Sequence, residues 1–255
     1  MTRSGQAAAS LTSAQAALLG LDQSGLVAIG KALLRPEVAR AFERLAAAAR
    51  VAGFELAIAS AFRDFNRQLL IWNRKACGEL VVRDDQDCAV PMQTLSVEEQ
   101  LTCILRFSAL PGASRHHWGT DLDVYDAAAM PEGYTLQLTP SEAAPDGLFG
   151  ALHAWLDERI RTGTSFGFYR PYDEDRGGVA VERWHLSYAP LAVGCEEELT
   201  ATLLRRAWDE CAPGDDLALR EALEVDLDQI LERFVGRVAT APAAARDYHD
   251  QEPGP

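Results

Sequence analysis

Basic residues are scarce: 24 lysines and arginines face 38 acidic residues over 255 positions, a formal charge of -14. That balance argues against a surface that reads nucleic-acid phosphate through clustered cations, and acidity alone names no other partner. Long apolar runs are missing too, since no stretch reaches the roughly 18 residues that cross a bilayer. The opening stretch, Met1 to Gln15, holds Arg3 but no uninterrupted apolar core of a secretory signal. The expectation is a protein with no membrane span, placed in the cytoplasm, with export by a route the sequence does not announce as the alternative. The five cysteines (Cys77, Cys88, Cys103, Cys195, Cys211) are odd in number and include no C-x-x-C pair, which suits neither a disulfide framework nor a zinc ribbon. Free thiols are expected, with Cys77 and Cys88 in one loop as the pair to join in an oxidising compartment. Also absent are an internal repeat, a glycine-rich nucleotide-binding segment and the helical His-Glu-x-x-His zinc signature.

What is present is enough apolar residue, 48% of the chain, for one sizeable core with additions. Thr12 or Ser13 caps a short helix that Gly20 ends, and Pro36 starts a second whose Val38, Phe42, Leu45 and Ala49 recur at helical spacing up to Gly53. Phe54 to Ser60 reads as a half-buried strand, Asn66 to Lys75 as a helix, and Gly78 to Met92 as a long polar loop. Ser96 and Glu99 have capping-box spacing and open a helix through Leu105. Thr120 to Tyr125 alternates, with Leu122 and Val124 on one face and Asp121, Asp123 and Tyr125 on the other, which predicts a strand with an acidic working face. A helix at Phe149 to Ile160, a short strand at Val179 to His185, and helices at Glu197 to Glu210 and Asp216 to Val238 follow, and the tail from Ala239 reads as disordered.

A catalytic zinc site wants three nitrogen or oxygen ligands and an open position for water. Of five histidines, His249 sits in the tail and His153 reads as a partly buried helix residue, leaving His116, His117 and His185. The run Ser114-Arg-His-His-Trp-Gly-Thr-Asp-Leu-Asp123 places a histidine, then Gly119 for a sharp turn, then a carboxylate on a returning strand. Glu182-Arg-Trp-His185 offers a second histidine with a carboxylate three residues before it, and a metal would join the two strands.

These segments resemble the D-alanyl-D-alanine carboxypeptidases of the VanY type, within the zinc peptidases that share a fold with lysostaphin and the Hedgehog signalling domain. Three motifs match in order over roughly Pro36 to Pro190. Ser60, Arg63 and Gln68 meet Ser-x-x-Arg-x-x-x-x-Gln; Ser114, His116, Gly119 and Asp123 meet Ser-x-His-x-x-Gly-x-Ala-x-Asp; Glu182, Trp184, His185 and Tyr188 meet Glu-x-Trp-His-x-x-Tyr. The resemblance implies His116, Asp123 and His185 as Zn2+ ligands and Glu182 as the base that takes a proton from the attacking water and passes it to the leaving amine. It implies Ser60, Gln68, Ser114 and Tyr188 as substrate contacts, with Trp184 as a pocket wall or a core residue. The fixed charge of Arg63 suits the oxyanion or a terminal carboxylate of the substrate. One position departs from the pattern: Asp121 stands where alanine is usual, with three roles open to it, namely orienting a ligand, binding a substrate amine or replacing Asp123. His117 is expected to point away from the metal.

The implied fold is α+β, a small antiparallel sheet carrying the zinc site and flanked by helices. Its divisions are an N-terminal helical extension (1–35), a peptidase core (36–190), C-terminal helices (191–238) and a tail (239–255). The implied substrate is a peptidoglycan stem peptide ending in D-Ala. An L,D-carboxypeptidase or cell-wall endopeptidase with the same zinc site, a zinc-stabilised binding module, and, more remotely, a sugar transferase using Asp121-x-Asp123 are the competing readings.

Overall fold

A computed structural model of the chain describes residues 10–212 and 214–249. Helix α1 (Ser13–Leu18) opens with a reciprocal cap, in which Thr12 accepts from the Gln15 backbone and the Gln15 side chain accepts from that of Thr12. The next elements correct the expectation of a purely helical N-terminal extension. Strands β1 (Val27–Ile29) and β2 (Ala32–Leu34) form a hairpin whose turn contains Gly30. The apolar run there is too short to show a period, and pairing supplies what propensity does not.

Pro36 begins α2 (Pro36–Val51), and its spaced apolar residues Val38, Phe42 and Leu45 are buried on one side. That face packs on the sheet built from β3 (Leu56–Ser60), β4 (Asp121–Asp126), β5 (Phe168–Tyr169) and β6 (His185–Tyr188), in the order β3-β4-β6-β5 with every pair antiparallel. Leu122, Val124 and Leu186 from the sheet meet α2 and the later helix Gly150–Arg161 in one apolar cluster. Leu45 is fully buried there, so Leu45→Ala would cost about 2–5 kcal/mol. The opposite sheet face carries Asp121, Asp123, His185 and Ser187.

A second apolar cluster joins α3 (Phe65–Ala76) and α4 (Val97–Leu105) to the segments after residue 190. Both helices start at side-chain caps, Asp64 for α3 and a Ser96/Glu99 capping box for α4. After α4 come α5 (Pro140–Ala143), α6 (Gly150–Arg161), α7 (Ala189–Ala192), α8 (Cys195–Glu198), α9 (Ala201–Cys211), α10 (Arg220–Val225) and α11 (Leu227–Leu231). Trp208 of α9 donates its indole N–H to Pro111 O, and Trp72 of α3 donates to Ala218 O, so the C-terminal helices share a core with α3 rather than forming one of their own.

Three further expectations need correction. The strand placed at Val179 to His185 begins only at His185, because Ala180 and Glu182 give their N–H groups to Arg106 O and Tyr172 O instead of to a strand. The helices expected at Glu197 to Glu210 and Asp216 to Val238 are each divided, the first where Thr200 caps α9 and the second into α10, α11 and a π turn at Glu232–Gly236. The described part of the tail, 239–249, is structured: Ala243–Arg246 form helix α12, Ala241 and Ala245 are buried against Tyr169 and Ala189, and Tyr248 packs edge-on against Phe166 and Tyr188, while 250–255 lie outside the described residues. All five cysteines are free thiols. No helix among the described residues is long and apolar enough to cross a membrane.

Candidate metal centre

His116 lies in a 3-10 turn, Arg115–Trp118, that Gly119 ends with φ +71°. A side chain is disfavoured there twice over, by the left-handed backbone and by Leu26, whose Cδ2 would stand 2.7 Å from a Cβ. The turn sends the chain straight into β4, and β4 pairs with β6 in a register that sets Asp123 opposite His185. Arg35 fixes the turn from the N-terminal side, its backbone N–H donating to Gly119 O at 2.9 Å and its Nε–H to Trp118 O at 3.0 Å. Ligating atoms of His116, Asp123 and His185 consequently lie within 4.8 Å of one another, and all three side chains are buried.

The hydrogen bonds around them decide which atoms are free. His116 Nδ1 faces Ala61 O at 2.9 Å, and a carbonyl only accepts, so the proton sits on Nδ1 and Nε2 keeps its lone pair. His185 Nε2 faces Asp121 Oδ1 at 2.9 Å, which leaves Nδ1 toward the cluster. Those two nitrogens stand 3.3 Å from the Asp123 carboxylate, Nε2 of His116 from Oδ2 and Nδ1 of His185 from Oδ1. Asp123 Oδ1 is buried and has no hydrogen-bond partner. Two acceptors held face to face in a dry site need positive charge between them, either a proton or a cation. Burial opposes a charged His185, yet the carboxylates of Asp121, Asp123 and Glu182 around its ring outweigh it and raise its pKa well above the ordinary value. The cluster has the donors to hold a cation, and two imidazoles with one carboxylate are a set that suits catalytic zinc.

Asp121, the departure from the family pattern, is fully buried and stands behind the cluster. Its Oδ1 accepts from His185 and, at 2.7 Å, from Arg115 Nε–H; its Oδ2 accepts from Thr120 at 2.6 Å and Ser187 at 3.1 Å. Burial would raise its pKa, and the Arg115 charge with the His185 contact pulls it below the usual carboxylate range. Of the three roles left open, orienting the His185 ring fits these contacts.

A cleft of about 580 Å³ opens in front of the cluster, and Arg63, Ser114, Glu182 and Trp184 are among the residues that line it. Glu182 sits on a turn, its N–H bound to Tyr172 O and its C=O accepting from His185 N–H, with Oε2 3.5 Å from His185 Nδ1. Ser60 and Gln68 do not line the cleft. They hold Arg63, whose guanidinium donates to Gln68 Oε1 at 2.8 Å and to Ser60 Oγ at 3.2 Å, while the Gln68 amide donates to Ala109 O at 2.6 Å. Tyr188 also lies outside, in the apolar cluster beneath the sheet against Phe168. A motif fixes a residue type at a position without saying which neighbour it serves, and these three serve the scaffold. His117 points away: Nδ1 bonds Arg63 O at 2.5 Å and Nε2 accepts from Gly112 N–H at 3.1 Å, and burial lowers its pKa to about 3.

Three residues near the metal cluster were not singled out by sequence reasoning. Tyr172 sets its ring edge-on to His185 at 5.1 Å between centroids. Lys75 lines the cleft, its pKa pushed down to about 8 chiefly by burial. Gln68 and Lys75 are seven residues apart, two turns along one helix face, so the spacing held a usable signal for Lys75. Arg115 was hidden as an unspecified position between Ser114 and His116.

A family model described as D-alanyl-D-alanine carboxypeptidase, VanY, matches residues 31–191. An uncharacterized protein of Haemophilus influenzae is 33% identical over 128 residues, which are 49% of this chain and 92% of that protein. Among solved structures, VanYB in complex with D-alanine-D-alanine is similar at 20% identity and a TM-score of 0.46, over 79% of this chain and 88% of the other. A mutant of the D,D-pentapeptidase VanY from a VanB-type resistance cassette, in complex with Zn(II), is similar at 21% identity and a TM-score of 0.45, over 78% and 88%.

Proposed function

We propose that this chain, which belongs to the VanY family of D-alanyl-D-alanine carboxypeptidases, is a zinc-dependent peptidase that releases D-alanine from the end of peptidoglycan stem peptides. The observation that carries the reading is the convergence of His116, Asp123 and His185, with each imidazole's other nitrogen already engaged by a fixed acceptor. Zinc held there would supply Lewis-acid polarisation of the scissile carbonyl and acidify the attacking water.

The chain's own residues supply the rest. Glu182, on the turn beside His185, takes the proton of the attacking water and delivers it to the amine of the departing D-alanine, so one carboxylate serves as base and then as acid. Arg63 lends a positive charge that Ser60 and Gln68 keep in place, and that charge suits the carbonyl oxygen as it becomes negative or the substrate's terminal carboxylate. Ser114 and Trp184 offer a hydroxyl and an apolar wall in the same cleft. The presence of Glu182 and Arg63 beside the cluster supports catalysis over a zinc-stabilised binding module. The D-Ala terminus of the substrate rests on family membership.

The test is incubation of the zinc-loaded chain with a stem pentapeptide ending in D-Ala-D-Ala, with products identified by mass. Release of one D-alanine is expected. No release from any D-Ala-terminated peptide, with one zinc per chain, would overturn the substrate assignment, and cleavage at another bond would reassign the enzyme to L,D-carboxypeptidase or endopeptidase action.

A further inference from the structure

The family match ends at residue 191, yet a side chain beyond that limit reaches toward the metal cluster. Helix α8 presents Glu196 to Arg115, whose Nη1 forms an ion pair with it. Arg115 is buried, only 3% of its side chain exposed, and each of its other two nitrogens also has a partner. Nε–H goes to Asp121 Oδ1, Nη2–H to Ser187 Oγ at 2.8 Å and Tyr169 Oη at 3.2 Å, and the guanidinium lies over the Trp118 ring. The line of contacts runs from carboxylate to guanidinium to carboxylate to imidazole, with charges alternating through a dry interior.

We infer that Glu196 is a positioning residue of the metal centre, acting through Arg115 and Asp121 on His185. The inference rests on the reading of His185 as a zinc ligand. Its physical basis is a shared atom: Asp121 Oδ1 accepts from Arg115 Nε–H at 2.7 Å and from His185 Nε2 at 2.9 Å. Two donors compete for one oxygen. While Glu196 neutralises the far end of the guanidinium, Asp121 keeps enough negative charge to hold the His185 N–H and to enrich the lone pair on Nδ1. Without Glu196, the buried cation has Asp121 as its one carboxylate, and the hold on His185 weakens. The residue that departs from the family pattern, Asp121, and a carboxylate outside the family match are thus two parts of one device, and the segment after residue 190 belongs functionally to the site.

The experiment measures the zinc dissociation constant of the full chain by competition with a chelator, for the unaltered protein and for E196Q, E197Q and H185A. Glu197 is the matched control, because it is exposed on the same short helix, carries the same charge and has no contact with Arg115. E196Q is expected to weaken zinc binding about 3- to 10-fold, less than the roughly 10- to 100-fold typical when a direct hydrogen-bond partner of a ligand is lost. E197Q should leave the constant unchanged. A lower melting temperature for E196Q with an unchanged zinc constant would reduce Glu196 to a structural ion pair and overturn the inference, as would equal weakening in E197Q. If E196Q does not fold, E196A, which removes the charge without adding a buried amide, is read with the same expectations. An unaltered chain that binds no zinc, or an H185A variant that binds it as tightly, would overturn the underlying assignment of the site and this inference with it; an unchanged E196Q beside a zinc-binding wild type overturns the inference alone.

Discussion

Asp121 and Asp123 stand two residues apart on one face of β4, both buried, and their surroundings are opposite. Every contact of Asp121 is with a donor: Arg115, Thr120, Ser187 and His185 surround its two oxygens. Asp123 meets two imidazole nitrogens whose lone pairs face it, and its Oδ1 has no hydrogen-bond partner. Satisfied polar atoms suit a support behind the site, and on the proposed reading the unsatisfied oxygen is the one a cation would take. Under the proposed function the contrast makes Asp123 the ligand and Asp121 its support, where the sequence alternation made the two aspartates equivalent.

The largest effect is expected in the cleft, in front of both aspartates. Glu182→Gln should lower kcat by about 10²- to 10⁴-fold while zinc stays at one per chain by atomic absorption; turnover near wild type would remove Glu182 from its role. Behind the site, Asp121→Asn should weaken zinc binding about 10- to 100-fold, and an unchanged chelator titration would dissolve the distinction between the two aspartates. Gln68→Ala should loosen Arg63 and lower turnover about tenfold, below the roughly 10²- to 10³-fold loss when a charge-stabilising donor is removed outright. Zinc affinity should not move, and a parallel loss of metal would show that Gln68 supports the cluster rather than Arg63.

The smallest effect near neutral pH concerns His153, buried on α6 and held uncharged at a pKa of about 3 by burial and by the charges of Arg170 and Arg183. Its folded value lies below the unfolded value of about 6.5. The unfolded chain therefore takes up a proton first, and this stability is complete above pH 6.5 and is lost as pH falls toward 3. His153→Gln should flatten that loss by up to about tenfold in the unfolding constant per pH unit, measured by urea denaturation at pH 7 and pH 5. An unchanged slope would remove His153 from the account of acid sensitivity.

The parts of the fold written in local chemistry were legible. Pro36 and the Ser96/Glu99 pair mark helix starts within a few residues, and each acts on neighbours in sequence. The start of β6 at His185 and the packed segment at Ala243–Arg246 depend on partners far along the chain, and the strands of the local β1-β2 hairpin are too short to show a period. At the site, the triad was legible because the Gly119 turn and two short strands constrain it. The roles of Ser60, Gln68 and Tyr188 were not, since each is defined by a partner the motif does not contain. Glu196 lay beyond reach for the same reason: its importance comes from meeting Arg115, 81 positions away.

The most direct test of the central claim is anomalous diffraction at the zinc edge from crystals of the zinc-loaded chain. The account predicts one strong peak at bonding distance, about 2.0–2.2 Å, from His116 Nε2, Asp123 and His185 Nδ1, with Asp121 still bound to His185 Nε2. A peak bonded to Asp121 or His117, or no peak between the two strands, would contradict it.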